Sequence, residues 1–309
     1  MKVIAANGNK KFWHRLYEFR QFYVMLIPVI LFYLIFSYVP MYGVTLAFKD
    51  FNFAEGIMKS PWNNFDNFKK LFSNVDFWQS FRNTLIISAG RLIIEFPVPI
   101  ILSLLLNEIG RSRLKRVYQT ILTFPHFLSW VVLGGIAVSL FQDQGIVNQM
   151  MNFFGAGKNS VLTDGNAFRF LIFGSNIWKE AGWSTILYLA AIAGINPELY
   201  EAAKVDGANR FQRMLCITWP CIKSTACVLL ILQVGSAMNG GFDQIFNMYN
   251  SAVYAKADII DTYVYRSAFQ AADGFGYTTA VGLTKSVINF FLLYVTNKIV
   301  SKTNGTGVF

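Results

Sequence analysis

The sequence predicts an all-α, polytopic membrane bundle of about six transmembrane helices, with both termini on the cytoplasmic side. Three observations carry this. Hydrophobic residues fill 54% of the 309 positions and charged residues only 14%, against about 25% charged in soluble domains. The apolar residues gather into runs at 22–42, 81–106, 117–141, 168–194, 219–238 and 278–300. Each is near the roughly 20 residues that cross a hydrocarbon core of about 30 Å as a helix. Lys and Arg are unequally divided between the two sides these runs define, fourteen on the side of the N-terminus and seven on the other. The richer side is cytoplasmic, and an even number of spans returns the C-terminus to it. The formal net charge of +10 therefore orients the chain. No nucleic-acid partner is expected, and membrane lipids are the surroundings.

The elements follow in order. Residues 1–21 form a basic cytoplasmic segment (Lys2, Lys10, Lys11, Arg15, Arg20). The apolar run after it is long and no small-residue cleavage site follows, so it reads as an uncleaved first span. The external loop 43–80 is aromatic (Phe48, Phe51, Phe53, Trp62, Phe65, Phe68, Phe72), as suits short amphipathic pieces at a membrane interface. The second span carries Arg91 and Glu95 at i, i+4, on one helix face where they can pair. A short basic loop, 107–116 (Arg111, Arg113, Lys115, Arg116), leads to the third span, and 142–167 with Lys158 is external.

The fourth span holds Lys179 and Glu180. Being adjacent, they point in different directions and need separate partners. In the fifth span Gly235, Gly240 and Gly241 interrupt the pattern. The external loop 239–277 is acidic and aromatic (Asp243, Asp258, Asp261, Asp273), the sixth span carries Lys285, and 301–309 is a cytoplasmic tail. Residues 22–300 thus form a single membrane domain.

Between the fourth and fifth spans lies a polar segment, 196–220. Asn196 is a good N-cap and Pro197 suits the first helical position. Glu198 and Glu201 complement the positive end of that helix, which is predicted to run to about Val205. Asp206-Gly207 signals a turn. A second helix is predicted over roughly 208–218, with Phe211, Met214, Leu215 and Thr218 on one face, before Pro220 opens the next span. The result is an amphipathic cytoplasmic hairpin.

Glu201-Ala202-Ala203, then Asp206-Gly207-Ala208, then Ile217 and Pro220, resembles the signature of the permease subunits of binding-protein-dependent ABC importers. In that family the segment is a coupling helix docked into a groove of the ATPase subunit. The resemblance therefore implies that Glu201, Ala202, Ala203, Asp206, Gly207 and Ala208 make that contact. Asn83-Thr84, Leu104-Leu105-Leu106-Asn107-Glu108, Phe124-Pro125-His126-Phe127-Leu128-Ser129-Trp130-Val131-Val132, Asp243-Gln244-Ile245-Phe246 and Asp261-Thr262-Tyr263-Val264-Tyr265-Arg266 look like its carbohydrate branch, the maltose type, so the resemblance spans almost the whole chain. It implies an ATP-driven importer of an oligosaccharide or polysaccharide fragment in a bacterial or archaeal inner membrane. It also implies a sister permease, two ATPase subunits and an extracytoplasmic sugar-binding protein.

The chain carries no GxxxxGK[ST] phosphate loop, no HExxH and no plausible Ser-His-Asp set. No enzymatic activity is expected of it, and ATP and Mg are expected on the partner ATPase. Cys216, Cys221 and Cys227 form no CxxC pair and only His14 and His126 accompany them, so no metal site is expected.

Charges at membrane depth read as functional by default. Arg91 with Glu95 reads first as a structural pair. Lys179 and Glu180, flanked by Trp178 and Trp183, read equally as structure or as part of a sugar path of aromatic faces and hydrogen-bonding groups. Tyr188, Asn239, Asp243, Gln244 and Asn247 are cavity candidates, being polar near a broken span, where non-helical backbone must line protein or water. Two alternatives remain open: a permease of the same fold for a peptide or phosphate, and a secondary transporter without an ATPase.

Overall fold

A computed structural model describes residues 14, 17–110, 112–155, 160–269 and 274–304. The basic positions Lys2, Lys10, Lys11, Arg15, Arg111 and Lys158, and also Asp273, lie outside the described residues. Among the described residues the structure is helical, with one isolated antiparallel bridge between Lys49 and Trp62.

Five helical stretches are long and apolar enough to cross a membrane: Arg20–Phe48, Val75–Asn107, Trp130–Phe153 (bent at 142–145), Arg210–Gly235 and Gly274–Lys302. The first begins as α1 (Arg20–Tyr33), and no residue from Arg20 to Tyr38 is buried. After the loop helix α2 (Asp66–Ser73), the second stretch comprises α3 (Val75–Gly90) and α4 (Pro97–Asn107).

The predicted third span is not one helix. It divides into α5 (Ser112–Thr123), a tight turn at Phe124–Phe127, and α6 (Trp130–Phe141). Pro125 withholds a backbone donor within that turn, and the Ser129 side chain caps the new helix by accepting the Val132 N–H at 3.3 Å. The short helix α7 (Ile146–Phe153) follows.

The predicted fourth span is α8 (Gly165–Ala193), 29 residues, or about 44 Å at roughly 1.5 Å per residue. It is long enough to cross, but carries Arg169, Asn176, Lys179 and Glu180 along its length. It sits centrally, against α4, α5, the Phe124–Phe127 turn and the fifth span, and that enclosure by protein accommodates its charges. Asp164 caps its start, accepting the N–H groups of Asn166 and Ala167 at 2.7 and 3.2 Å. Those bonds lower the Asp164 pKa.

The hairpin follows as α9 (Pro197–Val205) and α10 (Arg210–Arg213). The predicted second arm is not separate from the fifth span. It continues through a π turn at Met214–Thr218 into α11 (Trp219–Gly235). Beyond the glycine break lie α12 (Phe242–Met248), α13 (Ile260–Phe269) and α14 (Gly274–Asn304).

Three π turns among the described residues share one cause. Leu34–Tyr38, Arg91–Glu95 and Met214–Thr218 each end one residue before an X-Pro step, at Pro40, Pro97 and Pro220. Proline supplies no N–H to the carbonyl four residues back, and its ring crowds that carbonyl. In each case the residue before the proline bonds five residues back, as Phe96 N–H does to Arg91 O at 3.0 Å. The widened turn absorbs the proline without breaking the span.

Polar groups fasten the segment 255–266 to the spans. Asn83 donates to the carbonyls of Ala255 and Asp258 at 3.2 and 3.1 Å, and Thr84 Oγ1 accepts the Ile260 N–H at 2.9 Å. Arg266 donates twice to the Asp258 carboxylate, at 3.0 and 2.6 Å, which raises the Arg266 pKa further. Lys285 of α14 pairs with Asp261 at 2.5 Å.

Candidate functional site

Two regions concentrate the residues singled out in the sequence. The first is the hairpin. Asn196 caps α9, its side chain accepting the Glu198 N–H at 3.1 Å. After α9 the chain reverses at Gly207, whose φ of +79° is a left-handed conformation that glycine adopts without a Cβ penalty. The Ala208 N–H reaches back to Ala203 O at 2.9 Å and the Gly207 N–H to Lys204 O at 3.2 Å, which closes the helix end. A capping box of Asn209 with Gln212 then starts α10. Tyr200 OH and Thr218 Oγ1 meet at 3.0 Å and tie the two arms together. Glu201, Ala202, Asp206 and Gly207 are exposed, Ala203 and Ala208 half-buried, and Val205 is 88% exposed. The hairpin thus presents a surface without a partner in this chain.

The second region is a series of three cavities between the helices. One, about 400 Å³, is lined by Leu128, Ser129, Trp130, Val131, Lys179, Glu180, Asp243 and Asn247. Glu180 also lines a second, about 290 Å³, with Glu95, Asn176, Tyr188 and Gln233 among its walls. Glu95, Asn176 and Gln233 in turn line a third, about 260 Å³, which includes Arg91, Asn239, Gly240 and Gly241. Shared lining residues place these cavities side by side.

The broken third span supplies the first cavity with Leu128, Ser129, Trp130 and Val131, and places His126 against its two charged residues. Lys179 Nζ donates to His126 O at 2.5 Å and lies 3.2 Å from Glu180 Oε1. The expectation that Lys179 and Glu180 need separate partners is corrected: their long side chains fold back toward each other. Glu180 Oε2 meets His126 Nδ1 at 2.7 Å, and the His126 ring stacks on Trp183 at 4.4 Å between centroids. Lys179 also lies over the Trp130 ring at 5.6 Å.

Residues 95–304 match the family described as the inner-membrane component of binding-protein-dependent transport systems. The chain belongs to this family. The matched stretch includes the hairpin and residues of all three cavities, so both regions belong to the permease proper. The permease is 44% identical over 308 residues to protein LplB of Bacillus subtilis (strain 168), covering 99% of this chain and 96% of that protein. It is 40% identical to the polygalacturonan/rhamnogalacturonan transport system permease YteP of the same organism, with the same coverage. A solved bacterial ABC transporter involved in import of the acidic polysaccharide alginate matches with a TM-score of 0.88 and 38% identity, covering 95% of this chain and 99% of that one. A second structure of an alginate ABC transporter, in complex with alginate pentasaccharide-bound periplasmic protein, matches with the same score.

The permease brings Lys179, Glu180, Asp243 and Asn247 to one cavity and places Tyr188 and Asn239 in the walls of the next two. Three residues from the same sequence pattern are placed differently, Trp183 stacking on His126 outside the cavity linings. Trp178 faces an apolar groove of about 520 Å³ between α6 and α8. Gln244 is buried, donating to Ile172 O at 2.6 Å and Ser175 Oγ at 2.9 Å and accepting from Arg91 at 2.6 Å, so it joins the Arg91–Glu95 turn, α8 and α12. Sequence reasoning missed Asn176 and Gln233 as cavity residues and His126 as the partner of Lys179 and Glu180. The signal available for His126 was Pro125 beside it, which marks the break.

Proposed function

We propose that this permease carries an oligosaccharide or polysaccharide fragment inward by alternating access, driven by ATP hydrolysed in other subunits. One observation carries the reading. The helices that wall the polar cavities, α8 and α11, lead directly into the two arms of the exposed hairpin. A displacement of the hairpin therefore reaches the cavities through continuous helix on the α11 side and across a three-residue turn, 194–196, on the α8 side. Glu201, Ala202, Ala203, Asp206, Gly207 and Ala208 contact an ATPase subunit, and two such subunits bind ATP and Mg. The excess of Lys and Arg on the hairpin's side supports a cytoplasmic hairpin with both termini inside.

An extracytoplasmic sugar-binding protein delivers the cargo, and a sister permease completes the path. Lys179, Glu180, Asp243 and Asn247 offer hydrogen-bonding groups beside the rings of Trp130 and Trp183, the mixture that a saccharide's hydroxyls and apolar faces require. Tyr188 and Asn239 continue this lining, while Trp178 and Gln244 shape the walls behind it. The alginate cargo of the solved neighbours and the pectic cargo named for YteP support the substrate class. ATP closure of the ATPases biases the bundle toward one state only insofar as the hairpin contacts differ between states.

The test is reconstitution in liposomes with the ATPase, sister permease and binding protein. Alginate, polygalacturonan, rhamnogalacturonan and arabinan oligomers are offered in turn. Uptake of at least one, with stimulated ATP hydrolysis, is expected. Uptake by the permease without an ATPase, or no response to any saccharide, overturns the reading.

A further inference from the structure

Neither the hairpin nor the cavities account for the aromatic rings of segments 43–80 and 239–277. Six of these rings form a chain. Between ring centroids, Phe53 lies 5.4 Å from Phe275, Phe275 6.0 Å from Phe269, Phe269 5.2 Å from Tyr265, and Tyr265 4.8 Å from Phe246. Phe242 ends the chain, stacked on Phe246 at 5.1 Å and 5.9 Å from Tyr265. The rings come from four segments: the turn at Phe53, α12, α13 and the first turn of α14.

Two features set this chain apart from core packing and from a membrane belt. Phe53 is 77% exposed and Phe269 68%, and the other four are half-buried, so ring surface stays open along the whole chain. A membrane-interface belt is rich in Trp and Tyr, whose polar tips meet the headgroups. Five of these six rings are Phe, with no polar tip.

The chain ends beside the first cavity. Asp243 and Asn247, at i and i+4 on α12, line that cavity. Phe242 and Phe246, also at i and i+4, occupy the adjoining face of the same helix. With the hairpin cytoplasmic, as proposed, the turn at Phe53 and the start of α14 lie on the outer side, where cargo arrives. A lipid tail matches the rings but would strip Asp243 and Asn247 of water. A saccharide suits both. Its hydroxyls meet the polar groups, and the C–H faces of its rings meet aromatic faces, which carry partial negative charge.

We propose that Phe53, Phe275, Phe269, Tyr265, Phe246 and Phe242 form a stacking track that leads an oligosaccharide from the outer side to the cavity at Asp243. Successive sugar units rest on successive rings. This rests on the proposed saccharide cargo and orientation. A long oligomer engages several rings and the cavity at once, so its contacts reinforce one another, whereas a short one engages few at a time. Loss of one ring therefore penalises long cargo more than short.

The test uses the transporter reconstituted with its ATPase, sister permease and binding protein. The probes are the shortest alginate, polygalacturonan, rhamnogalacturonan or arabinan oligomer that the wild type imports, and one of twice that length. Uptake rates are read at saturating loaded binding protein. Phe53→Leu and Phe269→Leu keep an apolar side chain but remove the flat face. Each is expected to lower the ratio of long to short uptake about threefold, the order of one aromatic contact. Phe269→Trp should restore the ratio. Phe290→Leu, at a ring of α14 that is 64% exposed and outside the track, should leave it unchanged.

Equal losses at both lengths would mark these rings as packing or as a binding-protein contact, and overturn the track. So would failure of both leucine variants to assemble, or a wild type that imports only the shortest oligomer. A wild type that imports no saccharide fails the cargo reading and takes this one with it.

Discussion

At the scale of single residues, Gly207 and Lys179 do the most defined work. Gly207 sits at φ +79° with open space around its missing Cβ, so conformation rather than packing requires glycine. A β-branched residue there is strained by about 1–2 kcal/mol. Gly207→Val is therefore expected to leave insertion and assembly intact while uptake per ATP hydrolysed falls; an unchanged ratio would remove the hairpin from the coupling role. Lys179 is buried and holds both Glu180 and the His126 carbonyl. Breaking a buried pair typically costs roughly 3–5 kcal/mol, and the one-third exposure of Glu180 reduces that. Lys179→Met should lower the Tm of the solubilised complex, and Lys179→Met with Glu180→Gln should recover part of the loss, as differential scanning fluorimetry would read.

At the scale of elements, the caps and π turns set where helices begin and how they transmit movement. The Asp164 cap on α8 is charge-assisted, and its pKa is lowered from 3.8 by the Ala167 and Asn166 N–H groups. A lowered folded-state pKa contributes stability that is complete above the ordinary value and lost as pH falls through the folded one. The Tm difference between wild type and Asp164→Ala should thus be constant around neutral pH and shrink only in acid. A difference that grows on acidification would contradict the cap.

The Met214–Thr218 turn joins the hairpin to α11 because Pro220 withholds an N–H. Pro220→Ala permits a regular α turn and shifts the register of the hairpin against the span. Reduced uptake per ATP in an assembled transporter is expected; wild-type coupling would mean the π turn carries no motion. Here the sequence was legible in part. Asn196, Pro197 and Asp206-Gly207 predicted α9 to the residue. The fusion of the second arm with the fifth span was not legible, because Pro220 reads locally as a boundary and only the widened turn carries the helix past it.

At the scale of the whole molecule, α8 is the central helix and Arg20–Tyr38 is left unburied. The polar cavities gather around α8, between segments far apart in the sequence. Without a phosphate loop, the permease purified alone is expected to hydrolyse no ATP, and addition of the ATPase should restore turnover. ATP hydrolysis by the isolated permease would sink the division of labour.

Composition, apolar run length and Lys/Arg placement determined a polytopic helical membrane protein, and capping chemistry with the Glu201–Pro220 motif determined its hairpin. These are local or additive properties, readable without knowing what packs where. Pro125 signals the break at Phe124–Ser129 locally, whereas tertiary structure alone decided that Lys179 and Glu180 pair with each other around His126 and that Arg91 and Glu95 line cavities together with Asn176 and Gln233. The physical reason is that a charge inside a membrane bundle is defined by its neighbours. Those neighbours come from other helices, whose rotation and depth no spacing along one helix records.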